Sequence, residues 1–115
     1  MSLARQVACC ILSLLCLSGC TTGRVAARMS YWTSETQAHL PVGTELADAE
    51  RFFEARGLQL RCCVDAEPDV PKSYIASERN VGRLLWMEYS VAVFVRISAT
   101  GRVEDVRVVR LGVGL

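Results

Sequence analysis

The sequence predicts an α+β domain over residues 41–115, with one amphipathic helix packed on a small antiparallel sheet of three to four strands. Three observations predict it. Leu46, Ala49, Phe52 and Phe53 recur at helical spacing against a polar face of Glu50, Arg51 and Glu54. Leu85, Met87, Tyr89, Val91, Val93, Val95 and Ile97 occupy every second position, the period of a strand with one buried face. Gly, Pro and Asn residues punctuate the chain at intervals short enough for hairpins rather than crossover connections.

Taken in order, Leu40-Pro41-Val42-Gly43 reads as a turn and Thr44 as the N-cap of the helix, its hydroxyl placed to accept from a free first-turn amide. Glu45, Asp48 and Glu50 lie early in the helix and Arg56 late, as the helix dipole favours. Gly57 is placed to end it in the left-handed conformation. Residues 58–64 alternate, so Leu58, Leu60, Cys62 and Val64 are expected to face the core and Cys63 to point away. The acid- and proline-rich run 65–71 reads as a loop, Ser73 to Arg79 as a second strand, and Asn80-Val81-Gly82-Arg83 as its turn. The period-two run 85–97 is the central strand. Ala99-Thr100-Gly101-Arg102 then makes a hairpin, and Val103 to Leu111, rich in β-branched residues, returns as the last strand.

The N-terminal forty residues have a different character. Arg5 precedes an apolar run from Val7 to Leu17, which closes on Leu17-Ser18-Gly19-Cys20. A transmembrane helix needs about 20 apolar residues, and this run is about half that length. A basic start, a short apolar centre and small residues before the end are the build of a secretory leader. The segment resembles the leader of bacterial lipoproteins. That resemblance implies a signal peptide over residues 1–19, cleavage between Gly19 and Cys20, and diacylglyceryl and acyl groups on Cys20, together a firm membrane anchor. Thr21 follows the cysteine where aspartate commonly retains such proteins in the inner membrane, so the resemblance points to the periplasmic face of the outer membrane. Residues 21–40 are polar and without evident periodicity, and residues 20–40 are read as lipidated N-terminus and tether, with a coil reach of roughly 25 Å. Within it, Tyr31 and Trp32 are expected to pack on the domain or at the membrane interface. The helix start at Gly43-Thr44 and the final turn at Thr100-Gly101 also resemble those of small helix-plus-sheet domains in short envelope lipoproteins, a class largely without assigned activity.

The 13 basic and 12 acidic residues are interspersed, with no basic stripe for nucleic acid. Three of the six cysteines fall in the leader, leaving Cys20, Cys62 and Cys63, too few for a disulfide framework. Neighbouring strand residues point to opposite faces, so the expectation is Cys62 in the core and Cys63 as a partly exposed thiol; the alternatives are an intermolecular disulfide through Cys63 and a Cys62–Cys63 disulfide that breaks the strand. The one histidine, His39, lies beside the tether without a nucleophile or orienting acid, so no catalytic site is expected. Asp65, Glu67 and Asp69 lack the glycine and terminal acid of a calcium loop, and no metal or cofactor is expected. The expected function is therefore a non-enzymatic, membrane-anchored periplasmic lipoprotein that acts as a protein-interaction or envelope accessory module. Its interaction face would be the far side of the sheet, with Leu84, Trp86 and Phe94 apolar beside Glu88 and Arg96. The alternative is a small-ligand or inhibitor-type module with a pocket between helix and sheet.

Overall fold

Two helices precede a four-stranded antiparallel meander in the computed structural model, which describes residues 23–64 and 72–114. The elements are α1 (residues 23–39), α2 (Leu46–Glu54), β1 (Arg61–Val64), β2 (Lys72–Leu84), β3 (Met87–Ile97) and β4 (Val103–Gly114), with the strands in sheet order β1-β2-β3-β4. The α+β class and the helix on an antiparallel sheet are as the sequence predicts; the second helix is not.

That helix is the main correction. The segment read as a tether is α1, and its Val25, Trp32 and Thr36, followed by Leu40, are buried, while Met29 packs against the same core. The spacing 25, 29, 32, 36, 40 is a helical stripe. A threonine in the fourth place hides the stripe from a hydropathy reading. Its hydroxyl donates to the Trp32 carbonyl at 2.7 Å, so Thr36 is buried without an unpaired polar atom. The folded unit therefore includes residues 23–40 as well as those from 41 onward.

The core lies between the helices and one face of the sheet. On β3, Val91, Val93, Val95 and Ile97 are buried, as their period predicts, and they meet Trp32, Phe52 and Phe53. Edge-to-face contacts at 5.0 Å between Phe52 and Phe53, and at 6.5 Å between Trp32 and Phe52, fill the space between the layers. Arg56 ties the helices together, donating at 2.8 Å to Glu35 on α1 while its guanidinium lies 3.9 Å from the Phe52 ring centre.

Local signals hold in part. Gly57 takes φ +79°, and the amides of Gly57 and Leu58 return to the carbonyls of Glu54 and Phe53, which closes α2 as a Schellman motif. Thr44 does not cap the helix: its hydroxyl donates to the Pro41 carbonyl, and α2 begins at Leu46, whose amide donates to Gly101. A tertiary carbonyl has replaced the local cap. The turn expected at residues 80–83 is instead an irregularity inside β2, with Glu78 opposite Val91 and Gly82 opposite Tyr89. Val81 is buried there, so the strand bulges rather than reverses. The reversal comes at Leu85-Trp86, which removes Leu85 from the central strand. β1 is shorter than the run 58–64 because pairing with β2 starts only at Arg61.

Candidate interaction surfaces

The two sides of the sheet differ. Among the described residues β4 is an edge strand, and only its first residue is paired on the outer side. Gly43 donates to the Val103 carbonyl and Val103 donates to the Thr44 carbonyl, both at 2.8 Å, while the Arg102 guanidinium donates at 2.9 Å to the Gly43 carbonyl. Beyond Val103 no described strand covers this edge. α1 overhangs it, and a groove of about 540 Å³ runs between Thr33, Thr36, Gln37 and Leu40 on one side and residues 103–108 on the other. An uncovered edge of this kind presents unpaired amides and carbonyls to any extended chain. Sequence reasoning located β4 but missed the groove, because its far wall is α1.

Leu84, Trp86 and Phe94 do not form one face. Phe94 lies opposite Ile75 and Arg107 and is half-buried in the middle of the open face. Leu84 pairs with Met87, and Met87 alternates with Tyr89 and Val91 on the helix-facing side. Leu84 therefore points to the opposite side of the sheet from Phe94, and Trp86 belongs to the turn. The reason is the reversal at residues 85–86, which the period-two run had absorbed into a strand. What replaces the expected face is an apolar end: Leu84, Leu85, Trp86, Leu111 and Val113 are all exposed at the β2–β3 turn and the adjoining end of β4.

An ion pair fixes α1 to the middle of β2. Arg28 donates twice to the Glu78 carboxylate, at 2.6 Å for each nitrogen, and the Trp32 indole N–H donates to the same carboxylate at 3.2 Å. The hydrogen bonds and charge of Arg28 hold the Glu78 carboxyl below its ordinary range against the opposing effect of partial burial, with Trp32 and Arg24 adding to the lowering. Glu78 in turn raises Arg28, which stays charged.

Cys62 and Cys63 form a vicinal disulfide, the alternative in which the pair interrupts the strand. The pairing of β1 with β2 shifts between Cys62 and Val64, so strand alternation does not hold at this pair. Cys62 is exposed and Cys63 half-buried. His39 is on α1, 3.5 Å from Glu35 and beside the Phe52 ring, with its side chain 55% exposed. Among the described residues no three His, Cys, Asp or Glu side chains converge on a point. Asp65, Glu67 and Asp69 lie outside the described residues, as do Gly19 and Cys20, and no described helix is long and apolar enough to cross a membrane. No family model, curated protein or solved structure matches the chain.

Proposed function

We propose that this chain is a lipoprotein of the bacterial cell envelope, anchored through acyl groups on Cys20 at the periplasmic face of the outer membrane, and that its folded part is a non-enzymatic protein-interaction module. The observation that carries the interaction half is the uncovered edge of β4 beside the α1 groove. Residues 43–45 already use the first position of that edge, and an extended segment of a partner continues the same pairing past Val103. A small-ligand site calls for polar groups converging on the groove. Here the hydroxyls of Thr33 and Thr36 turn back to the carbonyls of Met29 and Trp32, which favours a peptide backbone over a small molecule. The anchoring half is supported by the leader and its closing Leu17-Ser18-Gly19-Cys20.

Intact mass of the protein purified from membranes tests the anchor, expected to show loss of residues 1–19 and added acyl chains; an unmodified full-length mass rejects it. A photo-crosslinking residue placed at Arg107, on β4, tests the edge. It is expected to capture one discrete protein that the same group at Arg51, on the exposed side of α2, does not capture. Equal capture from both positions rejects the edge as the docking site.

A further inference from the structure

The apolar end of the sheet has two unfavourable features at once. Leu85 is 76% exposed and Trp86 67% exposed, with Leu84, Leu111 and Val113 exposed around them. Leu85 also takes φ +53°, a conformation in which glycine or asparagine is at ease and a leucine side chain costs free energy. Neither packing among the described residues nor backbone geometry accounts for a leucine there. Strain of this kind, held at an exposed tip, is a mark of functional sites.

The direction of α1 says what the tip faces. Its N-terminal half touches Glu78, which lies opposite Val91, and its C-terminal half borders the groove wall that starts at Val103, opposite Ile97. From Arg28 to Leu40 the helix rises about 18 Å. From Val91 to Ile97 the strand advances about 20 Å. The two runs match, so α1 follows the strands with its N-terminus directed to the β2–β3 turn. Gly23 lies about 7 Å beyond Arg28 in that direction. The segment between Gly23 and Cys20 spans at most about 10 Å. Met87 lies about 13 Å beyond Val91. That reach covers the remaining distance along the strands, so an anchor at Cys20 is within range of the end of the molecule that carries the Leu85-Trp86 turn. Arg83 adjoins the turn, opposite Glu88, while Arg110 lies back along β4 opposite Val91 with its guanidinium 5.5 Å from the Tyr89 ring centre.

We infer that the Leu84-Leu85-Trp86 turn is a second membrane contact, seated in the lipid interface beside the anchor. The inference rests on the proposed acylation of Cys20 for the choice of a bilayer over another apolar surface. Leu84 and Leu85 supply apolar area, Trp86 lies at headgroup level where indole rings collect, and Arg83 meets anionic headgroups. With two points of attachment instead of one, the sheet stands at a fixed angle to the membrane and the β4 edge points along it.

The test uses the full chain carrying Trp32→Phe, which leaves Trp86 as the reporter, in phosphatidylglycerol-containing vesicles with and without brominated acyl chains. Trp86 emission is expected to fall by at least about twofold with brominated lipid, as for an indole at the interface. A cooperative thermal transition in the Trp32→Phe protein shows that the reporter is folded, and the Trp86→Phe protein, which keeps the buried Trp32, is expected to show no such fall. Intact mass of the same samples separates the two claims. Acylated protein with unquenched Trp86 overturns the second contact and leaves the anchor standing. Unacylated protein overturns the anchor; Trp86 quenched on mixing with vesicles then upholds the membrane-seated turn, and unquenched Trp86 overturns it as well.

Discussion

Glu78 accepts from Arg28 and Trp32, and both donors sit on a helix far from it in sequence. Glu78→Gln keeps the size of the side chain and removes its charge, and is expected to cost about 1 kcal/mol at neutral pH, a figure already reduced for the solvent exposure of Arg28. The sign with pH follows from the lowered carboxyl. A group titrating lower in the folded state than in the unfolded one contributes its full stability above the unfolded value, near 4.5, and loses it as pH falls through the folded value. The difference between the original protein and Glu78→Gln in urea unfolding should thus be constant from pH 7 to about 5 and shrink in more acid solution. A difference that grows below pH 4 would contradict the pairing. At Leu85 the expectation has the opposite sign. Leu85→Gly relieves the positive φ and should raise stability by about 1 kcal/mol, read as a higher urea midpoint at unchanged slope. Such a gain would mark Leu85 as kept for something other than folding.

At the level of elements, α1 carries the largest single side chain in the core. Trp32→Ala is expected to destabilise by about 3–5 kcal/mol, a large part of the stability of a domain this small, and to show as a thermal transition lowered or lost. If residues 21–40 were only a tether, the same change would leave the transition where it is. α1 also shows where the sequence was legible and where it was not. β3 could be read because Val91, Val93, Val95 and Ile97 meet the core with aliphatic side chains at a strict period of two. α1 could not, because its buried stripe includes Thr36, whose polarity is cancelled only by a bond to the helix's own backbone. Thr44 failed as a cap for a related reason. The amide it would satisfy is taken by Gly101, a partner that exists only once the final hairpin has folded against α2. The bulge at Val81 reads as a turn because it carries Asn80, at φ +56°, and Gly82, and the true turn at Leu85-Trp86 escaped because the chain there uses a leucine where turn chemistry calls for glycine or asparagine.

For the whole molecule, the surfaces that matter were visible in the sequence only as residues, not as places. Leu84, Trp86 and Phe94 were identifiable as apolar residues near a strand, yet pairing register puts Leu84 and Phe94 on opposite sides of the sheet. The groove along β4 requires α1 as its wall and could not be drawn from strand patterns. The Cys62–Cys63 pair bears on assembly. On a non-reducing gel the mature protein is expected to run as a monomer, and after denaturation without reductant neither cysteine should take up an alkylating reagent. Alkylation mapped to Cys62 or Cys63, or a peptide joining either to a second chain, would contradict the intramolecular pair.

The bonds between residues 43–45 and 101–103 also set how the molecule bears tension. Force applied at the N-terminus enters through α1 and meets the Arg28–Glu78 pair and the packing of Trp32 first. The paired backbone at Gly43, Thr44 and Val103, with Arg102 clamped on Gly43, stands behind them in series at the far end of the helix. A pull that peels α1 is expected to meet this clamp before α2 and the meander, so the sheet should stay intact while the β4 groove loses its wall. Under load the fold is expected to yield in two steps, α1 first and the paired backbone at residues 43–45 and 101–103 second.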